Sequence, residues 1–328
     1  MKKIDKSLIE EASQRLRPYV VHTDLTFSPR LWSELGCQLY FKWENHQPTG
    51  SFKIRGAASK ILANLEDCRR WGVVAASTGN HGAATAYICQ EEGLELTLFV
   101  PATIAPFKRQ KLERTGAKLI LVDGPCEQAE LEARQTAEVN HQVFVSPYND
   151  ELVIAGQGTC GLEIFEDWPE VEEVVVPVGG GGLIAGLAVY LKESKPAIKI
   201  TGVEPENSAF IKYSLSLGYL SNDFPEKPTI AEAVAGGLEP GSMTFDLVRH
   251  YVDGWLTVLE EHIVQAMKIL YEHHQEVVEG AGALSLAALL AYPELFTGKR
   301  VVGLVSGGNI QLSRWQELVG ANKPLSEK

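Results

Sequence analysis

The segment EEVVVPVGGGGLIAGLAVYLKES (172–194) joins a run of valines to a helical pattern through four consecutive glycines. The valine run predicts a buried strand, and the apolar spacing after the glycines predicts a helix. Glycine lets the backbone approach a ligand closely, and amide groups at a helix N-terminus favour an anion. The segment therefore predicts a parallel α/β sheet with a phosphate-binding loop, although a flexible connection would also use glycine. The candidate phosphate-binding residues are Gly179, Gly180, Gly181, Gly182 and Leu183.

Similar strand-to-helix alternation continues on both sides of this segment and predicts an α/β fold with mostly parallel sheets. Further strands are predicted over 37–44, 72–77, 96–101, 117–123, 141–146, 198–204 and 299–306. Further helices are predicted over 4–17, 51–65, 81–93, 105–116, 127–140, 158–167, 260–276 and 282–292. The stretch 146–158 has the composition of a turn, and the proline-containing stretch 205–245 is predicted to be the least regular part.

Length, charge and cysteine content exclude several classes of protein. The 328 residues suggest about two domains, and 30 basic against 42 acidic side chains give a net charge of −12. This acidic balance disfavours binding to nucleic acid and to anionic membranes, and no apolar run is long enough to span a bilayer. The N-terminus lacks the apolar core of a secretory signal. Five scattered cysteines without a C-x-x-C pair indicate free thiols in the cytoplasm rather than a zinc or disulfide framework.

Glycines gather wherever a predicted strand ends: PTGSFK (48–53), STGNHG (77–82), VGGGG (178–182) and SGGN (306–309). Carboxyl ends of parallel strands meet at one edge of a sheet, so these loops predict one site for an anionic, phosphorylated ligand. No ATPase phosphate loop is present, since the G-x-x-x-x-G-K-[ST] pattern is missing. A dinucleotide site stays open as a remote alternative, because Glu204 follows the glycines by about 20 residues.

Lys53 lies in the first turn of a predicted helix, between the apolar residues Phe52 and Ile54. The helix macrodipole disfavours a cation there and lowers the pKa of the amine modestly. A lysine of lowered pKa is suited to forming a Schiff base with a carbonyl cofactor, whereas a solvated surface lysine is the ordinary interpretation of position alone. Together with a phosphate cradle, Lys53 indicates pyridoxal phosphate as the cofactor.

The chain resembles the fold-type II pyridoxal-phosphate enzymes of the serine/threonine dehydratase and serine racemase family. The resemblance rests on QPTGSFKIRGA (47–57), STGNHG (77–82), VIAGQGT (153–159), PVGGGGLIAG (177–186), GVEP (202–205), VEGAGA (278–283) and SGGN (306–309). It implies two three-layer α/β/α domains like those of tryptophan synthase β. A small domain over 70–149 would be inserted into a large cofactor-binding domain formed by 1–69 and 150–328. It also implies a homodimer, and no C-terminal ligand-sensing domain is expected.

The resemblance assigns a role to each matching residue. Lys53 would hold the cofactor and act as the base at the substrate Cα. Phe52 would lie against the cofactor ring, with Asn80 at its phenolic oxygen and Ser306 at its pyridine nitrogen. Glu279 would lie near the ring edge. The residues that would contact the substrate are Ser77, Thr78, Gly79, His81 and Tyr148. Each of these residues also has an ordinary structural interpretation: packing, a turn, a strand end or a solvated helix position. For His81 the structural interpretation, a local hydrogen bond, is favoured.

The implied activity is α,β-elimination of a β-hydroxy amino acid, with L-threonine or L-serine as the default substrate. Thr78 is the second candidate catalytic residue: it stands where many threonine dehydratases have alanine and where serine racemases have a serine that acts as acid/base on the opposite face. Its hydroxyl leaves racemisation open as an alternative activity. Other substrates considered are hydroxyaspartate, phenylserine and a compound derived from hydroxyectoine. The stretch TIAEA (229–233) departs from the usual Thr-Ile-Ala-Asp-Gly. No metal site is expected, because Phe210 stands where a divalent ion would need an acidic partner for Glu204.

Overall fold

A computed structural model describes residues 4–320, which form two β-sheets covered by helices. The strands are β1 Leu25–Phe27, β2 Gln38–Trp43, β3 Val73–Ala76, β4 Leu96–Pro101, β5 Lys118–Val122, β6 Val143–Phe144, β7 Glu173–Pro177, β8 Lys199–Pro205, β9 Gly254–Val258 and β10 Arg300–Val305. The helices are α1 Lys6–Leu16, α2 Pro29–Leu35, α3 Lys53–Ala63, α4 Leu65–Trp71, α5 Asn80–Glu91, α6 Pro106–Glu113, α7 Cys126–Val139, α8 Glu151–Asp167, α9 Gly182–Ser194, α10 Phe210–Leu217, α11 Met243–Tyr251, α12 Glu260–His274, α13 Gly280–Ala291 and α14 Leu312–Val319.

The larger sheet has six strands in the order β1-β2-β10-β7-β8-β9, and the smaller has four in the order β5-β4-β3-β6. Every pairing is parallel except that of β1 with β2. The predicted α/β fold with mostly parallel sheets is therefore confirmed. The strands of the smaller sheet all fall within 70–149 and those of the larger sheet outside it. The proposed domain boundaries stay a prediction, and their ends, 1–3 and 321–328, lie outside the described residues.

Both faces of each sheet are covered, which explains the uninterrupted apolar runs of the central strands. On the larger sheet, helices α1, α8 and α9 pack on one face and α12 and α13 on the other. On the smaller sheet, α3 and α5 cover one face, while three alanines of α7 pack on the other. Helix α3 thus packs against the smaller sheet although it precedes that sheet in the chain. None of the described helices combines the length and apolar character needed to span a membrane.

The prediction of a turn over 146–158 is wrong for most of its length, because α8 already begins at Glu151. Asp150 caps this helix by accepting hydrogen bonds from the first backbone amides. Its glycines mark close helix contacts: a Cβ at Gly156 would lie 2.3 Å from the Arg55 carbonyl oxygen, and one at Gly158 would lie 2.8 Å from the Gly186 carbonyl oxygen. The stretch 205–245 also contains α10 and the start of α11, which its prolines concealed.

Candidate active site

One cleft of about 1390 Å³ is lined by every residue predicted to contact cofactor or substrate. It lies where β3, β7 and β10 end, at the carboxyl edges of both sheets. The glycine loops predicted to share one edge do come together here. The grouping follows from parallel strand topology, since that topology places successive strand ends on the same side.

Lys53 is the first residue of α3, and its Nζ donates a hydrogen bond to the Pro147 carbonyl oxygen at 2.8 Å. The amine lies 5.2 Å from the centroid of the Phe52 ring and forms no ion pair within residues 4–320. Burial lowers the pKa of Lys53 to about 8, although the charges of Glu130 and Glu279 act in the opposite direction. A substantial fraction of the amine is therefore neutral near physiological pH, as a nucleophile or base requires.

The glycine loop begins helix α9, and Gly181 has a φ of +81°, which favours glycine. Neighbouring residues pack closely against the loop, since a Cβ at Gly180 would lie 2.4 Å from the Tyr148 ring and one at Gly179 would lie 2.8 Å from the Val234 Cα. The first amides of a helix have no partner within it. Because this loop lines the cleft, those amides can hold a phosphate there.

A second helix N-terminus faces the cleft at Ser77, Thr78 and Gly79, between β3 and α5. The Gly79 amide donates to the Ser77 Oγ at 3.1 Å, which shapes the loop. Thr78 is half-buried and lines the cleft. Backbone amides in this position can bind a carboxylate.

His81 is buried at the start of α5, and its Nε2 hydrogen-bonds to the Val145 carbonyl oxygen at 2.8 Å. Burial lowers the pKa of His81 to about 3, and the charge of Lys53 adds to this effect. The ring is therefore neutral at physiological pH and is held by a local hydrogen bond, although the residue lines the cleft. This arrangement favours a structural role.

A chain of polar side chains crosses from the smaller to the larger sheet. Asn80 donates through Nδ2 to the Glu279 Oε1 at 2.6 Å and accepts at Oδ1 from the Asn309 Nδ2 at 2.8 Å. Burial raises the pKa of Glu279 to about 7, so the carboxyl is partly protonated near neutrality. Ser306 follows β10 and donates to the Ala281 carbonyl oxygen at 3.3 Å. Asn309 was not predicted as a site residue, although it ends the quoted SGGN stretch.

Three further residues of the cleft carried no signal in the sequence: Glu130, Arg134 and Glu239. Arg134 on α7 is paired with Glu130 at 3.1 Å and with Glu239 at 2.7 Å. Because more than 100 positions separate Arg134 from Glu239, only the tertiary fold brings them together.

Glu204 is unsuited to the dinucleotide role that its spacing left open. Its carboxylate is buried and accepts the backbone amides of Ile211 and Lys212 at 2.9 and 2.8 Å, at the start of α10. Both oxygens are thereby used within the fold, so the acid is not free to hold a ribose. Among residues 4–320 there is no group of three or more His, Cys, Asp or Glu side chains placed to hold a metal ion.

The cleft fits pyridoxal phosphate: a partly neutral lysine lies in the same cleft as a glycine-built anion cradle and the Ser306 hydroxyl. The chain belongs to the family described as pyridoxal-phosphate dependent enzyme, whose model matches residues 16–307. It is 43% identical over 317 residues to the L-threonine ammonia-lyase of Thermotoga maritima, covering 97% of this chain and 78% of that relative.

Two solved structures share the fold closely. Maize serine racemase superposes with a TM-score of 0.89 at 34% identity, covering 98% of both chains. The threonine deaminase of T.th. superposes with a TM-score of 0.86 at 36% identity, covering 94% of this chain and 99% of that one. The recognition of a fold-type II pyridoxal-phosphate enzyme from its sequence motifs is confirmed.

Proposed function

We propose that this enzyme dehydrates and deaminates a β-hydroxy amino acid, L-threonine or L-serine, to a 2-oxo acid and ammonia. The observation that carries the proposal is the position of Lys53, a buried amine of lowered pKa in one cleft with two helix N-termini. One N-terminus can take a phosphate and the other a substrate carboxylate. The sequence similarity to an L-threonine ammonia-lyase supports threonine as the first substrate to test.

The proposed roles follow the geometry. Gly179 to Leu183 hold the phosphate, and the amides at Ser77 to Gly79 hold the substrate carboxylate. Phe52, Asn80, Glu279 and Ser306 surround the cofactor ring. Ser306 offers a hydroxyl rather than a carboxylate, so it does not hold a charged partner beside the ring nitrogen.

Bound pyridoxal phosphate supplies a ring that withdraws the electrons left at Cα when its proton is removed. The neutral Lys53 amine accepts that proton, and the β-hydroxyl departs as water once it has gained a proton. The enamine so formed takes up water and yields the 2-oxo acid and ammonia.

Racemisation is a second candidate, and Thr78 is the observation that favours it. Its half-buried hydroxyl lines the cleft beside the carboxylate loop, where it could return a proton to Cα. The fold is also shared with maize serine racemase. The substrate panel should therefore include hydroxyaspartate and phenylserine, with chiral analysis of the recovered amino acid.

We further propose the small domain over 70–149, a homodimer and a cytoplasmic location. The separate four-stranded sheet supports the domain division, and the five cysteines, all free thiols, support a reducing compartment.

The experiment is to purify the protein with pyridoxal phosphate, record its visible absorbance and assay 2-oxo acids over the panel. We expect an absorbance band that borohydride removes, 2-oxobutanoate from L-threonine, and no turnover by Lys53→Ala. A band without any 2-oxo acid, but with inversion at Cα, would instead establish the racemase. Turnover by Lys53→Ala at the wild-type rate would contradict the role of Lys53.

A further inference from the structure

Pro147, Tyr148 and Asn149 form a turn, here called the 147–149 turn, that contacts both reactive parts of the cleft. The Pro147 carbonyl accepts the hydrogen bond of the Lys53 amine. The Tyr148 ring fills the space beside Gly180, where a Cβ would lie 2.4 Å from it. The Tyr148 backbone lies beside Gly182, where a Cβ would meet its carbonyl oxygen at 3.0 Å. A displacement of this turn would therefore move the acceptor of the lysine and the support of the glycine loop together.

Glu239 holds the 147–149 turn at two points. Its backbone amide donates to the Tyr148 Oη at 2.8 Å, and its Oε1 accepts from the Asn149 Nδ2 at 2.5 Å. Asn149 in turn accepts the Met243 amide at 2.9 Å, so the turn is fixed to the start of α11. The side chain of Glu239 is only 25% exposed, which makes its hydrogen bonds less accessible to competing water.

Arg134 connects this arrangement to the smaller sheet. Its Nη2 donates to the Glu239 Oε2 at 2.7 Å, and its guanidinium lies 4.6 Å from the centroid of the Phe144 ring. One oxygen of the Glu239 carboxylate therefore accepts a hydrogen bond from the 147–149 turn. The other accepts a hydrogen bond from α7, a helix that packs on the smaller sheet. Hydrogen bonds to an ionised group are the stronger ones, so removing the charge weakens both.

We propose that Glu239 is a positioning residue: it fixes the 147–149 turn and through it sets the Lys53 amine and the glycine loop against the cofactor. The inference deepens the proposed function and rests on it where turnover is concerned. Glu239 acts through the turn, so its loss changes the orientation of the site more than its affinity for substrate.

The test compares Glu239→Gln with Glu113→Gln, which removes a carboxylate from an exposed ion pair on α6, outside the cleft. Cofactor affinity is measured by equilibrium dialysis, and visible circular dichroism is recorded at saturating pyridoxal phosphate. For Glu239→Gln we expect about a tenfold weaker cofactor affinity, because both hydrogen bonds of the carboxylate lose the charge that strengthens them and the turn is held less firmly. We also expect a smaller dichroism band, and about tenfold lower kcat for threonine with little change in KM. Glu113→Gln should match the wild type.

A purely structural role would lower thermal stability and leave the dichroism of the saturated, folded protein unchanged, and that result would overturn the proposal. Asn149→Ala keeps the carboxylate but removes its contact to the turn, together with the contact of the turn to the Met243 amide. It should reproduce the dichroism change if Glu239→Gln fails to fold. Wild-type dichroism in both variants would also refute the proposal. The cofactor measurements need no substrate, so they test the positioning role even if the wild-type enzyme fails to turn over threonine.

Discussion

Arg55→Met should destabilise the protein strongly, because Arg55, on the same helix as Lys53, is the centre of a buried charge cluster. The guanidinium is 1% exposed and donates two hydrogen bonds to each of Glu44 and Glu163, at 2.6 to 2.7 Å. A fifth hydrogen bond reaches the Thr159 Oγ1 at 3.0 Å. These partners lie on a 3-10 turn and on α8, so the cluster holds α3 to both, and none of its residues lines the cleft.

The substitution leaves two buried carboxylates with too little compensating charge, since Lys42 alone remains beside Glu163 at 2.7 Å. Breaking a buried pair by removing one partner costs about 3–5 kcal/mol. This is a large part of a typical free energy of unfolding, about 5–15 kcal/mol. We therefore expect Arg55→Met to lower the free energy of unfolding by about 3–5 kcal/mol at pH 7.5.

The pH dependence separates this explanation from a simple packing defect. In the wild type, burial alone would raise the pKa of Glu163, but the charges and hydrogen bonds of Arg55 and Lys42 lower it. The lowered pKa contributes stability above the unfolded value of about 4.3 that is lost as pH falls through the folded value. Without Arg55, burial raises the pKa of Glu163 and Lys42 alone lowers it, so we expect this pKa to rise and protonation to relieve the defect as pH falls.

The assay is urea unfolding followed by tryptophan fluorescence at pH 7.5 and 5.5. The control is Arg109→Met, which breaks an exposed pair on α6 and should change stability by less than about 0.5 kcal/mol. A loss below about 1 kcal/mol for Arg55→Met, or a loss that does not shrink at pH 5.5, would refute the reasoning.

Further predictions concern three glycines and the lysine amine. Gly180→Ala should weaken pyridoxal phosphate binding at least tenfold in equilibrium dialysis, because its Cβ would lie 2.4 Å from the Tyr148 ring. Gly156→Ala should lower the free energy of unfolding by about 1–3 kcal/mol. Gly161→Ala should cost less, since its nearest contact would be 3.0 Å rather than 2.3 Å. In the cofactor-free protein, acylation of Lys53 should increase with pH through about 8, as the amine becomes neutral; a midpoint near 10.5 would contradict its burial.

The carboxyl edge of the sheets, where the cleft lies, is well predicted from the sequence because local features encode it. A strand followed by glycines and a helix identifies a ligand edge without knowledge of distant contacts, so the four glycine loops and Lys53 could be grouped in advance. The glycines of α8 show where the same argument fails. Gly156 and Gly158 look like turn residues, yet each permits close contact with another helix, at Arg55 or at Gly186. Glycine is required in both settings, and only the tertiary partner distinguishes them.

The connection between Arg134 and Glu239 marks a second limit of sequence reasoning. Neither residue belongs to a motif, and both look like ordinary charged positions on a chain of net charge −12. Their ion pair forms only because the fold brings α7 next to the loop before α11. The anion-binding edge itself uses backbone amides, which glycine placement reveals, whereas its support uses side chains that are far apart in sequence. The glycines of the anion-binding edge can be identified from local sequence patterns. Positioning residues such as Glu239 need the packed structure, because their effect depends on which turn they hold.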